Sequence, residues 1–497
     1  MGTRLSVNDA FALHTQTSTT PGHSVAVLVI EASDRLSHER LHKLVSSALP
    51  QMARFRSELV SKPMRMGQPV WAEIADYDPT PQIGTATVPA PGGRRELADL
   101  LAELTAEPQT SRRPLWEAWS IDGLASGRWA LAVKMSPVLA DGGHGLASMW
   151  QRLTTAEPNG DLRSSTETGP GPTPSTGELL TDWLAEVIEG QLTGVWMAAG
   201  AVTSGLLAMR RRLRNAVDAR VDPETVSAMR GAVPDTAFNA VLTKRRSLGL
   251  ASIPLADVRA ISDAFGGSTA NVVLAACAIS LRSWMRRHEA VPDEPLLVAV
   301  PLSRPTGDAA EDVHSLGVGH VRLPVQLDDP VQILTDLHTA TERLSIAHRA
   351  RDELATPQVD PAAVASLFPP WIARAGLQMF SGLTRCVSSA QATVSFSLER
   401  PDRRYCAGAR VVAMYSAEPL VERCGLNIGI ITHGEVMSVC VSACPDNVRC
   451  VDDIAGGVAE AVGVLLAAAE DSPRGEGRSV VTELSSHRSR QAEPMRS

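Results

Sequence analysis

The residues best placed for chemistry lie together in Asp141-Gly142-Gly143-His144. A carboxylate and an imidazole in one short loop supply a possible anchor and a proton acceptor that titrates near neutrality. The glycines beside them let the backbone turn tightly. Each polar residue has two readings. Asp141 is an acid or, more simply, an anchor for the turn. His144 is a general base, kept neutral by the positive end of the helix that follows, or a helix-start histidine bonded to backbone or water. A base must come within hydrogen-bond reach of the hydroxyl it activates.

The elements around this loop read as strand, turn and helix. Leu131 and Val133 alternate with smaller neighbours, and Trp129 and Met135 suit a half-buried pleat. Pro137 has no N–H to give a ladder, so the strand ends there. From about Gly145 the chain turns helical, with Leu146, Met149 and Leu153 on one face.

Upstream, Ser24 to Ile30 is β-branched throughout and predicts a central strand, and Arg35 to Leu49 predicts a helix closed by Pro50. A second helix follows from Glu96 to about Leu104, then a turn into a strand at Arg113 to Ile121. The strands are too short and mixed for an all-parallel wound sheet. Gly169 to Gly177 is a linker by composition, and Glu178 to Val217 reads as helix. Within it, residues 190–209 carry no charge and are followed by Arg210, Arg211 and Arg212. That run predicts a packed helix, with a lipid-surface helix as its alternative and a membrane span as a remoter one. The second half predicts strands at Ser247–Ile253, Leu296–Val300, Val321–Val325, Thr393–Phe396 and Gly425–Ile431. Its helices start at Pro254, Thr269 and Asp329. The segment from Asp471 onward is polar and predicts disorder.

The 497 residues predict two or three domains, and the net charge of -8 argues against nucleic acid as the main partner. No signal-peptide pattern opens the chain, which makes a cytosolic location the expectation. Seven cysteines, at 277, 386, 406, 424, 440, 444 and 450, are expected as reduced, buried structural thiols. His433, Cys440, Cys444 and Cys450 match no zinc spacing, so no metal is expected.

Several blocks, in order, resemble the bacterial wax ester synthase/acyl-CoA:diacylglycerol acyltransferase family of actinobacteria. They are Leu5-Ser6 with Asp9-Ala10-Phe11, Arg113-Pro114-Leu115-Trp116-Glu117, and residues 266–275. Val300-Pro301-Leu302-Ser303-Arg304, Ala407 to Val411 and Gly425-Leu426-Asn427-Ile428 complete the set. The resemblance implies an α/β (α+β) fold of two chloramphenicol-acetyltransferase-like halves, the CoA-dependent acyltransferase fold, around a central tunnel. It divides the chain into an N-terminal half at 1–168, a linker and crossover helix at 169–220, a C-terminal half at 221–470 and a tail at 471–497.

The family transfers an acyl group from CoA to a fatty alcohol or diacylglycerol, using a His-His-x-x-x-Asp-Gly motif whose second histidine is the base. Asp141-Gly142 stands at the end of that motif here, with Lys134 preceding it. The two histidine positions are Ser136 and Pro137, neither of which can serve as the base. His144 is then the candidate substitute, Asp141 the structural anchor, and Gly142, Asn271 and Ser395 the residues along the tunnel. Asn271 follows Ala270 where the family carries Asn-Asp, and it could still hydrogen-bond across the halves. Arg282, Arg286 and Arg287 could attract CoA phosphates or form a solvated helix face.

The implied activity is O-acyl transfer, making triacylglycerol or wax ester, altered or reduced by the missing base. The alternative is a non-catalytic homologue that binds acyl chains or CoA or acts as a scaffold. A condensation-type enzyme shares the motif but lacks support from the Pro-Leu-Trp block. Acyl-CoA enters as substrate, without other cofactors, and a membrane or lipid-droplet surface is the expected peripheral location.

Overall fold

In a computed structural model, the chain is described over residues 3–5, 9, 13, 16–62, 69–106, 114–139, 145–158, 160, 166–167, 169, 171–181, 234–302, 317–353, 390–398 and 403–471. Residues 190–209 and the tail from 472 lie outside the described residues.

The first half supplies strands β1 (Thr3–Arg4), β2 (Ser24–Ile30), β3 (Ser57–Val60), β4 (Val70–Glu73), β5 (Ile83–Thr87), β6 (Trp116–Asp122) and β7 (Trp129–Met135). The second supplies β8 (Ser247–Pro254), β9 (Leu296–Leu302), β10 (Gly317–Leu323), β11 (Ala392–Leu398), β12 (Tyr405–Cys406), β13 (Ala409–Ala417), β14 (Leu426–His433) and β15 (Val436–Ala443). Helices α1 (His38–Ala48), α2 (Arg94–Thr105) and α3 (Gly145–Leu153) belong to the first half. Helices α4 (Leu255–Phe265), α5 (Thr269–His288), α6 (Pro330–Glu353) and α7 (Val451–Asp471) belong to the second.

Two six-stranded sheets carry the architecture, in the orders β12-β13-β2-β7-β6-β5 and β10-β9-β11-β14-β15-β8. Both are mixed: β5 runs parallel to β6 and β11 parallel to β14, while β2, β7 and β6 pair antiparallel. This is the mixed α/β arrangement that the short strands predict. Two strands cross the expected division of the chain, since β12 and β13 both join the first sheet. β13, from the second half, pairs with β2 in the first sheet.

Helix ends follow local chemistry. Ser37 caps α1 by accepting the Arg40 N–H at 3.1 Å, and Leu41, Leu44, Val45 and Ala48 face the core. Glu96 reaches back to the Gly93 N–H at 2.8 Å and closes the start of α2. β10 begins at Gly317 and stops at Leu323, earlier than the expected 321–325, because Pro324 cannot donate to a ladder.

The predicted half-buried pleat of β7 is buried on both faces instead. Leu131, Val133 and Met135 enter a core beneath α1 and α3, together with Leu28, Trp116 and Trp150. Ala130 and Ala132 enter a second core shared by both halves, where Val25 and Val27 meet α2, Leu248 and Leu250 of β8, Tyr415 and Cys440. The small residues read as a solvent side are a packing side, covered by elements distant in sequence. A third core lies around α5 and α7 under the second sheet.

Cys277, Cys406, Cys424, Cys440 and Cys444 are buried thiols as expected, with burial pushing Cys277, Cys406 and Cys440 up to about 12. Cys450 departs from that expectation and is exposed. Cys386 lies outside the described residues. Among the described residues no single helix is long and apolar enough to cross a membrane. The apolar pair α4 and α5 is bent by 102° and buries its apolar side chains in the core.

Candidate active site

The end of β7 is fixed before any catalytic group is placed. The Ser136 N–H donates to the Leu115 carbonyl at 2.8 Å, tying the strand end to the start of β6. Pro137 to Leu139 then form one short 3₁₀ turn, closed by Leu139 N–H to Ser136 O at 3.0 Å. Val138 and Leu139 are buried, and Arg54 donates to the Val138 carbonyl at 2.7 Å. Arg54 also pairs with Asp9 at 3.5 Å and lies over the Trp71 ring. Trp116, from the Pro-Leu-Trp block, is fully buried and donates its indole N–H to Phe55 O at 2.8 Å. That block supports the floor beneath the motif.

Ser136 is buried, and its Oγ has no hydrogen-bond partner among the described residues. Pro137 is half-buried. Asp141, Gly142 and His144 lie outside the described residues. Lys134 is a buried cation whose Nζ meets Glu117 Oε2 at 2.9 Å and sits 5.7 Å from the Trp119 ring centroid. Its backbone pairs with Val25, so it projects on the face turned to the other half.

From Ser136 a run of contacts crosses into the second half. Met135 pairs with Ser24, whose Oγ donates to Glu418 Oε2 at 2.7 Å. Ser416 Oγ donates to the other carboxylate oxygen at 3.1 Å, and the Glu418 N–H donates to Asn427 Oδ1 at 3.1 Å. Asn427 is buried on β14, and its Nδ2 donors have no partner among the described residues. Unpaired buried donors are costly, so a position that keeps them is suited to a polar ligand atom. β13 lies two strands from β7, which spans about 10 Å at ordinary strand spacing.

Ser395 is half-buried on β11, opposite Gly429 in the ladder. At Gly429 the two sheets approach closely: a Cβ there would overlap the Ser416 carbonyl oxygen, with Ser395 Oγ at 3.7 Å. We therefore expect Gly429→Ala to push β13 from β14 and to lower stability by about 1–3 kcal/mol. The measurement is the denaturant midpoint at unchanged slope; an unmoved midpoint refutes the close approach.

Asn271 is buried near the start of α5, and both of its side-chain partners are on α6 in the same half. They are His338 Nδ1 at 3.1 Å and Thr341 Oγ1, which donates to Asn271 Oδ1 at 3.0 Å. The bond across the halves envisaged from sequence is replaced by this tie between helices. Arg282 and Arg286 are engaged by Asp328, and Arg287 by Asp453, which makes them a paired helix face. The set His433, Cys440, Cys444 and Cys450 does not gather. Cys440 lies in the shared core, Cys444 packs with Leu242 and Leu420, and Cys450 is exposed. His433 donates Nε2–H to the Val411 carbonyl at 3.2 Å, which makes Nε2 the protonated nitrogen, and burial holds its pKa below the ordinary value.

Glu418 and Arg54 carry no signature in the sequence, and Asn427 stands in a matched block without a role read from it. A strand-end acid next to an apolar run signals nothing until its partners on β2 and β14 are known.

Residues 5–273 match the model of the wax ester synthase/diacylglycerol acyltransferase catalytic domain, and residues 315–465 match the C-terminal domain of the same family. A protein of Mycobacterium tuberculosis provisionally named a diacylglycerol O-acyltransferase is 27% identical over 95% of this chain and 92% of its own length. Another of that organism, of the same provisional name, is 30% identical over 75% and 79%. The wax ester synthase/diacylglycerol acyltransferase of Marinobacter aquaeolei has the same fold, with a TM-score of 0.65 at 20% identity, covering 94% of this chain and 100% of that one. A condensation domain of the calcium-dependent antibiotic synthetase shares the fold at a TM-score of 0.51 and 14% identity, covering 95% and 97%. The matched models together span most of both halves, including the end of β7 and the β14 seam. The chain belongs to the wax ester synthase/diacylglycerol acyltransferase family.

Proposed function

We propose that this chain is an acyl-CoA-dependent O-acyltransferase of the diacylglycerol or wax-ester type, working at a reduced or altered rate because the base histidine is replaced. The acceptor hydroxyl oxygen attacks the thioester carbonyl, the C–S bond breaks, and the hydroxyl proton ends on the departing CoA thiol. The observation that carries the reading is the end of β7, which holds a buried Ser136 Oγ with no partner among the described residues and a proline in place of the base. Positioning two substrates supplies about 7–11 kcal/mol without any base, and the base itself adds only about 10²–10⁴ in rate. A slow transfer therefore survives its loss. The Nδ2 of Asn427, which has no partner among the described residues, is suited to the oxygen that gains charge as the carbonyl is attacked.

In this reading residues 1–168 and 221–470 act as the two halves, 169–220 joins them, and 471–497 is a tail. Gly142, Asn271 and Ser395 border the substrate path, Asp141 anchors the loop, and His144 is a weak substitute base, worth about ten-fold against about 10²–10⁴ for a base placed on the motif itself. No metal or cofactor takes part in the transfer; acyl-CoA is the substrate. The test is transfer of labelled palmitate from palmitoyl-CoA to diacylglycerol and to a long-chain alcohol. A His144→Ala variant that loses at least ten-fold in rate assigns the base to His144, and an unchanged rate returns it to a loop hydrogen bond.

A second reading is a non-catalytic homologue that binds acyl chains or CoA. Pro137 favours it, and palmitoyl-CoA binding with no turnover in wild type would select it. The chain is proposed to work in the cytoplasm at a lipid surface, through the uncharged segment 190–209 and the arginines after it. In liposome flotation, the protein is expected to rise with anionic vesicles; recovery wholly in the dense fraction refutes the surface contact.

A further inference from the structure

We propose that His288, Cys450 and Asp453 form a zinc-binding site that staples the end of α5 to the start of α7. Each residue offers one ligand atom, and these atoms lie within 4.8 Å of one another. Ligands around a tetrahedral zinc ion sit about 3.3–3.8 Å apart, given bond lengths of about 2.0–2.3 Å. Small side-chain rotations close that gap, and water takes the fourth position. A thiolate and a carboxylate also match the charge of the ion, and imidazole with thiolate is the donor set that suits zinc.

The surroundings position the donors as ligands. His288 Nδ1 lies 2.9 Å from the Trp284 carbonyl, so Nδ1 carries the proton and Nε2 presents its lone pair outward. The ring is stacked on the Trp284 indole, at 4.8 Å between centroids and 19° between planes. The same indole donates Nε1–H to the Arg449 carbonyl at 2.8 Å, fixing the residue before Cys450 against α5. Cys450 has φ 54°, a left-handed backbone for a residue with a side chain, and its carbonyl accepts the Asp453 N–H at 2.9 Å. Asp453 is oriented by Arg287 Nη1 at 3.2 Å on one oxygen, and its carboxylate keeps lone pairs for a cation.

The helices themselves are locked together nearby, where Ser280 Oγ donates to the Ile454 carbonyl at 2.7 Å. Two elements remote in sequence thus bring three donors together on a rigid frame. Among the described cysteines Cys450 alone is exposed, and it is the one beside a histidine with a fixed tautomer.

The experiment uses the full-length chain, free of any histidine tag and stripped with chelator. Zinc is titrated against a chromophoric competitor, and cobalt is added separately to read thiolate-to-metal charge transfer. Wild type is expected to bind one zinc per chain at micromolar or tighter affinity and to show the cobalt–thiolate band. Cys450→Ser and His288→Gln are each expected to weaken zinc at least ten-fold, and Cys450→Ser to abolish the band. Cys386→Ser is expected to keep both. All three variants are checked for an unchanged circular dichroism spectrum. Absence of stoichiometric zinc in wild type overturns the proposal, and so does zinc binding that is unchanged in Cys450→Ser.

Discussion

Pro137→His is expected to raise acyl transfer from palmitoyl-CoA by about 10²–10⁴ over wild type, the ordinary value of a positioned base. The gain rests on the rigidity of the site rather than on new binding. Pro137 opens a 3₁₀ turn whose next two residues are buried and whose Val138 carbonyl is held by Arg54. A histidine there keeps the turn, because no bond of the turn depends on the proline ring. Its imidazole then stands at the position that the family resemblance gives to the second histidine of the motif. Pro137→Ala separates that effect from relief of backbone restriction, and is expected to stay within about two-fold of wild type, since it adds no group that can take a proton. A folded Pro137→His protein that turns over no faster than Pro137→Ala would sink the idea of an intact tunnel lacking only its base.

The largest loss of stability is expected at Trp116, on β6 beneath the motif. Trp116→Ala empties a fully buried site that packs against Phe55 at 6.0 Å between ring centroids, and it leaves the Phe55 carbonyl without its donor. Such truncations lower stability by about 3–5 kcal/mol, a large share of the roughly 5–15 kcal/mol of a typical native state. Trp116→Phe keeps most of the volume and loses the hydrogen bond, so a smaller loss of about 1–3 kcal/mol is expected. Urea unfolding followed by circular dichroism provides the measure. A midpoint for Trp116→Ala within error of wild type would mean that the Pro-Leu-Trp block serves something other than the floor of the site.

The sequence made the local parts of this fold readable and left the long-range parts hidden. Ser24 to Ile30 announces itself because burial on both faces leaves a nearly unbroken apolar run, and so does the Val272 to Leu281 part of α5, whose end is polar and exposed. The breaks at Pro137 and Pro324 are equally plain, since a missing N–H acts at its own position. The second face of β7 was misread because alanine is consistent with solvent or with a close neighbour, and the neighbour belongs to α2 and β8. Helix α7 went unread for a related reason: its alanines and glycines are small where α5 crosses it. At the site, the loss of the base was legible from two positions. The polar run Ser24, Glu418, Asn427 was not, because three strands must be assembled before it exists.

The placement of β13 has a consequence for how this chain is made. Ser24 and Glu418, which meet across the first sheet, are 394 positions apart. An emerging N-terminal half therefore leaves the ribosome with the outer side of β2 unpaired, a run of valine, leucine and isoleucine that other strands could join. That edge stays open for nearly the whole of synthesis, until β13 arrives. The first sheet is thus completed only late in synthesis, and the nascent chain is exposed to mispairing, or to a chaperone's hold, over that interval.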